Sequence, residues 1–109
     1  MTEPLDIRIT DNPPQHRYEA MLGGELAGEL AGYCEYNLLT DAIMFTHTEV
    51  LPAFEGKGVG SALAKHVLDK ARSDGKHVIP VCQFIAAYIR KHRAYADLVR
   101  VDVQRAFKI

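Results

Sequence analysis

Cysteine is scarce in this chain: Cys34 and Cys82 are the only two in 109 residues, and they lie far apart. There is no Cys-x-x-Cys pair, and the five histidines do not gather at ligand spacing, so no metal site is expected. A disulfide is not expected in a reducing compartment, which leaves each cysteine as a thiol. No apolar run is long enough to span a bilayer, and the first residues, MTEPLDIRIT, are acidic and unlike a signal peptide. A soluble cytoplasmic protein without a membrane partner is the expectation. Charge of one sign is also missing. Thirteen Lys and Arg against 14 Asp and Glu give a net charge of -1, which argues against nucleic acid as the main partner. Repeats, linkers and low-complexity tracts are absent as well. What remains is ordinary globular chemistry, 48% hydrophobic and 25% charged, in a chain sized for one core and hence one domain over residues 1–109.

The hydrophobic pattern changes period midway. LDIRIT (5–10) alternates apolar and polar residues, DNPP (11–14) breaks the ladder, and HRYEAML (16–22) resumes it. Glycines in GGELAGELAGYCEYNLL allow a turn and a bulge. DAIMFTHTEV (41–50), with Ile43, Phe45 and β-branched Thr46, Thr48 and Val50, is the clearest strand. From residue 59 to 72 the apolar positions Val59, Ala62, Leu63, Val67 and Ala71 follow helical spacing. Lys70 and Arg72 lie near the expected helix end, and Gly75 stands at C′. HVIPVC (77–82) reads as a short strand and 83–99 as a closing helix. Strand, helix, strand implies a parallel pair with a right-handed crossover. The expected fold is α/β (α+β): an antiparallel meander, then one βαβ unit and a final helix.

Between the strand and the first helix lies LPAFEGKGVG, with Gly56, Gly58 and Gly60 at alternate positions. A helix N-terminus offers unpaired N–H groups and a positive dipole end. Glycines let those amides converge and let a ligand approach without meeting a Cβ. The combination suits phosphate or pyrophosphate, with Lys57 as a cation at the rim. The P-loop pattern is not met, and the dinucleotide fingerprint fails because its third glycine comes one position early. The pattern [RQ]-x-x-G-x-[GA] fits with one departure, Glu55, whose carboxylate is expected to face solvent.

This loop, with FTHTEVLPAFEGKGVGSALAKHVLDKAR before it and through it and VIPVCQFIAAYIRKHRAYADL after it, resembles the GNAT acetyltransferase superfamily over roughly residues 16–98. More narrowly it resembles the small single-domain GNAT-like proteins, which lack a helix pair after the first strand. DNPPQ is the only spacer there in this chain. The resemblance implies a minimal GNAT-like fold with splayed parallel strands. It also implies an acetyl-CoA-dependent N-acetyltransferase acting on a primary amine, a small molecule or a protein or peptide lysine. Coenzyme A would be held by the backbone of Gly56, Lys57, Gly58, Val59 and Gly60, with Ser61 following, and its pantetheine arm would pair near Val50. A non-catalytic acyl-CoA sensor is the competing reading. Acidic Glu25, Glu29, Glu35 and Glu49 suit a cationic acceptor. A monomer or a weak homodimer fits equally well.

Four side chains are candidates for the chemistry. Cys82, just past the fifth strand, stands where the small family has a cysteine, and its thiolate would accept the acetyl group; a small buried hydrophobe is the plain alternative. Cys34 reads as structural. His47 and Glu49, two apart on one strand, share a face and suit proton transfer from an ammonium or from Cys82; a solvent-facing polar strand is the alternative. Tyr88, seven residues before Tyr95, matches a region where GNATs often carry a general acid, with core packing as the alternative. Arg90, Lys91, His92 and Arg93 form a basic cluster, read as a solvated face or as a contact to the adenosine phosphate.

Overall fold

The computed structural model describes residues 6–23 and 28–109. Leu5 and Glu25 therefore lie outside the described residues. Five strands form one sheet in the order β1-β2-β3-β4-β5: Ile7–Asn12, Arg17–Leu22, Glu29–Leu38, Ala42–Val50 and His77–Pro80. The first four are antiparallel neighbours, and β5 runs parallel to β4 after the crossover through helix α1, Val59–Ser73. This is the α/β meander-plus-βαβ arrangement that the change of period predicts.

Pairing register sorts side chains between the two faces, because directly opposed residues share a face. Tyr18 opposes Cys34, Ala20 opposes Gly32 and Cys34 opposes Thr48, so these residues lie on the side that packs against α1. The core consists of them with Phe45, Val59, Leu63, Val67, Leu68, Val78, Ile85 and Ile89. The opposite face carries Arg17, Glu19, Met21, Tyr33, Glu35, His47 and Glu49, none of them buried.

Two irregularities shape the sheet. One is the bulge between Ala20 and Met21, where Ala31 has no partner beside Gly32, a position whose Cβ would come within 2.6 Å of Glu49 O. The other falls between Glu35 and Tyr36, where the register skips Thr46, whose hydroxyl donates to Glu35 O. Helix α1 ends as its glycine predicts. Gly75 has φ +68°, its N–H donates to Arg72 O, and Lys76 N–H donates to Ala71 O, the two bonds of a Schellman cap.

The closing helix is shorter than expected. Helix α2 covers Gln83–Lys91 and stops at His92 (φ -117°, ψ 80°); a 3₁₀ segment, Arg93–Leu98, and a short α3, Val101–Gln104, follow. The buried stripe of α2 is Ile85 and Ile89. The next positions on that stripe are His92 and Arg93, so a continued helix would drive charge into the core. The chain bends instead and buries Leu98 and Val99.

Candidate active site

The site grows from a mismatch in strand length. β5 pairs with β4 only from Ala42↔His77 to Phe45↔Pro80. Pro80 has no N–H, and Cys82 N–H makes a last bond to Phe45 O at 2.7 Å before the chain enters α2. Beyond that point β4 runs on through residues 46–50 with, among the described residues, no strand on its β5 side. An open strand edge of this kind accepts an extended ligand through its backbone groups.

At the far end of this edge is the glycine loop. Gly56 (φ +77°) and Gly58 (φ +81°) adopt left-handed backbone, and a Cβ at either would meet nothing within 4 Å. These two glycines are therefore conformational, and they face open space. Gly60 serves otherwise: its Cβ would lie 2.8 Å from Cζ of Phe84, whose ring covers it. Gly58 is the N-cap of α1, and no side chain caps the helix, so its first amides are left for a ligand. Val50, Glu55, Gly56, Gly58, Val59, Gly60, Ser61 and Phe84 line a hollow of about 240 Å³ there. Lys57 is exposed and not part of that lining, and the Glu55 side chain is exposed at its rim.

At the near end is Cys82, 6% exposed, at the N-cap of α2. Its thiol donates to Thr48 Oγ1 at 3.2 Å, and the Thr48 hydroxyl donates to Cys34 Sγ at 3.5 Å. Burial pushes the Cys34 thiol up to about 12, so it stays protonated. Cys34 is thus structural, and Thr48 is the polar partner of Cys82. Sequence reasoning missed Thr48, though the alternation that puts His47 and Glu49 on one face puts Thr48 on the other.

His47 and Glu49 form their pair, Nε2 to Oε1 at 2.8 Å, on the open face rather than on the face of Cys82. Tyr33 flanks them, 6.2 Å from His47 between ring centroids, with the Arg17 guanidinium 4.5 Å over its own ring. Tyr88 is brought together with neither group. It lies two turns along α2 from Cys82, on the stripe of Phe84, with its ring stacked on His92 at 4.1 Å. Tyr95 is close to Tyr88 despite the broken helix, at 6.1 Å, and its hydroxyl donates to Asp69. A wider depression of about 700 Å³ beside α2 and residues 106–108 includes none of the glycine, thiol or His–Glu groups. Among the described residues no cluster of His, Cys, Asp and Glu suits a metal ion.

Residues 17–98 match the family described as GCN5-related N-acetyl-transferase. The chain belongs to this family. It is accordingly an acyltransferase of the N-acetyltransferase class, and its family generally uses acetyl-CoA as co-substrate with an amine as acceptor. The fold is also that of a GCN5-like protein from Staphylococcus aureus whose solution structure was determined by NMR. The two align over 91% of each chain with a TM-score of 0.61 at 23% identity. No curated protein matches the chain. Among the described residues, no helix is long and apolar enough to cross a membrane.

Proposed function

We propose that this GCN5-related protein transfers acetyl from acetyl-CoA to a primary amine of a protein or peptide lysine, by way of Cys82. The observation that carries the reading is the unpaired edge at residues 46–50, with a glycine-lined helix N-terminus at one end and a thiol at the other. A pyrophosphate fits the first amides of α1, where the left-handed glycines leave open space. An extended amide-bearing arm fits the free edge of β4. These are the two recognition elements of coenzyme A.

In this mechanism Cys82 gives up its proton to water, and the Thr48 hydroxyl turns from Cys34 to donate to the thiolate. The sulfur attacks the thioester carbonyl, a new S–C bond forms, the bond to the coenzyme A sulfur breaks, and that thiolate takes up a proton. The acceptor amine comes from the open face of the sheet. The His47–Glu49 pair takes the ammonium proton on that face; the neutral amine then passes beyond Pro80 to attack the acetyl-cysteine, an N–C bond replaces the S–C bond, and the second amine proton goes to the Cys82 sulfur. A protein lysine suits the geometry because that face is uncovered and carries Glu35 and Glu49 for a cationic side chain.

Intact-protein mass spectrometry after incubation with acetyl-CoA, native and then denatured, tests the reading. The expected result is one acetyl adduct that survives denaturation and disappears in Cys82→Ala, while the native coenzyme A complex persists in that variant. Transfer that persists in Cys82→Ala would replace the cysteine step with direct attack by the amine. A native complex without turnover toward any amine would make the protein a sensor of acyl-CoA.

A further inference from the structure

At the end of α1 away from the glycine loop, the last turn of the helix roofs a narrow hollow of about 140 Å³ against the sheet. Its floor comes from the first four strands. Tyr18 opposes Asp11 across the β1–β2 pair, and Leu38 opposes Ile43 across the β3–β4 pair. These residues and Tyr36 line the hollow on the helix side of the sheet. Lys70, Ala71 and Asp74 close it from above, with Lys76 beside them. None of these residues is shared with the glycine hollow, the β4 edge or the His47–Glu49 pair.

One polar group here lacks a partner. Tyr18 is 5% exposed, yet among the described residues nothing hydrogen-bonds to its hydroxyl. Its ring is fixed 5.2 Å from that of Tyr36 and edge-on to His66 of α1 at 5.9 Å. The hydroxyl is not sealed off, because no unpartnered side-chain oxygen is wholly buried among the described residues. The hollow is what reaches it. Burial, with the charges of Asp11 and Asp74, raises its pKa to about 12, so the phenol is neutral at pH 7. Tyr36 by contrast donates to Asp11 Oδ1 at 2.6 Å, which leaves Asp11 Oδ2 without a protein donor. Asp74 Oδ1 accepts from Lys70 Nζ at 2.7 Å, and its second oxygen is likewise unused. Lys76 Nζ donates to Leu39 O and Thr40 O. What stays open is a hydroxyl and two carboxylate oxygens.

We infer that this hollow is a binding site for a small primary ammonium, held by the Tyr18 hydroxyl oxygen and the unused oxygens of Asp11 and Asp74. An ammonium brings three donors and no acceptor, which matches three open acceptors. The rings of Tyr18 and Tyr36 attract the same charge, and Leu38, Ile43 and Ala71 suit a short alkyl stem. Volume sets the size. At about 30 Å³ per water the hollow holds four or five waters, hence a ligand of about that many heavy atoms, such as a four-carbon amine. Lys70 and Lys76 balance the two carboxylates in charge, so the site selects through hydrogen bonds rather than through a net field and holds its ligand weakly. It lies on the other side of the sheet from the His47–Glu49 pair, so it is distinct from the acceptor position of the transfer reaction proposed above. It is also independent of the coenzyme A reading. The same butylammonium group ends a lysine side chain, so a free amine and a lysine-bearing peptide are the two sources.

NMR titration of the whole chain, carrying ¹³C-labelled tyrosine rings, with n-butylamine, n-butanol and butyrate at pH 7 tests this. The expected result is a saturating shift of the Tyr18 and Tyr36 signals by butylamine, with a Kd on the order of 1 mM. Butanol, isosteric but uncharged, should bind about tenfold more weakly, and butyrate more weakly still. Tyr18→Phe, read at Tyr36, should weaken butylamine about fivefold. Asp11→Asn keeps an acceptor for Tyr36 and should bring butylamine and butanol within about twofold of each other. Melting temperatures confirm that each variant is folded, and the three wild-type titrations decide the matter if one is not. Absence of a saturating shift in wild type at tens of millimolar, or butanol binding as tightly as butylamine, would overturn the inference. Wild-type affinity in folded Tyr18→Phe would overturn it as well. Nα-acetyl-lysine N-methylamide separates the sources: binding equal to that of butylamine assigns the site to a peptide lysine, and binding by butylamine alone assigns it to a free amine.

Discussion

At the scale of single residues, the three loop glycines look equivalent in sequence and differ in physics. Gly58 is in left-handed backbone with open space where its Cβ would be, so Gly58→Ala introduces backbone strain of about 1–2 kcal/mol and shifts the amides that follow. Gly60 is sterically closed by Phe84, a side chain that can move. The expected outcome is that Gly58→Ala weakens coenzyme A binding in any background. Gly60→Ala should weaken it in wild type but weaken it no further in a Phe84→Ala background. Titration of the four variants checks this, and a Gly60 defect that the second change does not relieve would refute the assignment. Motif spacing identified all three glycines but not their separate reasons, because a dihedral angle and a ring 24 positions away in sequence are both invisible in a pattern. Thr48 shows the reverse case. Its placement opposite His47 and Glu49 follows from strand alternation alone, and only the destination of Cys82 was needed to give it a partner.

Secondary-structure elements act through where they stop. β5 stops at Pro80, and α2 stops where its buried stripe would meet His92 and Arg93. The first ending opens the β4 edge, and the second returns the chain toward α1. There Arg72 holds it by a bidentate pair, Nη1 to Asp97 Oδ2 and Nη2 to Asp97 Oδ1, both at 2.9 Å, with Nη2 also donating to Ala94 O. The hydrogen bonds from Arg72 hold the Asp97 carboxyl below its ordinary range. Because the folded state holds this carboxyl ionised, its contribution is present at neutral pH and is lost as pH falls through the carboxylate range. Arg72→Ala should cost about 1 kcal/mol at pH 7, and distinctly less at pH 3, since the pair is exposed. Urea unfolding at the two pH values measures the difference, and an equal loss at both would mean that Arg72 acts through packing of its stem.

For the molecule as a whole, one face of the sheet carries the core and the other stays open, and this division has a consequence at high pH. Burial raises the pKa of Cys34 and of Tyr18, each to about 12, and raises that of Tyr36, whose hydroxyl also donates to Asp11. In the unfolded chain a thiol ionises near ~8.5 and a phenol near ~10. Between those values and pH 12 the unfolded state releases protons that the folded state keeps, so stability falls as pH rises. The urea midpoint should therefore decline steadily from about pH 9 upward, and Cys34→Ala should flatten the first part of that decline. A midpoint independent of pH up to 11 would contradict the neutral core. The same division puts His47 and Glu49 on the uncovered face and the thiol on the helix side.

Much of this was decided by order along the chain. Alternation and helical spacing specify the strands, α1 and its Schellman glycine, since each depends on neighbours a few positions apart. The positions of the glycine loop before α1 and of Cys82 before α2 were legible for the same reason, lying at the ends of recognisable elements. Only the tertiary structure decided that β5 leaves β4 unpaired after Phe45, that α2 yields at His92, and that Thr48 and not His47 meets Cys82. It alone decided that Tyr88 and Lys91 line a second hollow, which shares Ser61 and Phe84 with the glycine hollow. Each of these depends on which distant surface a residue is packed against, and burial and register are settled between elements rather than within them.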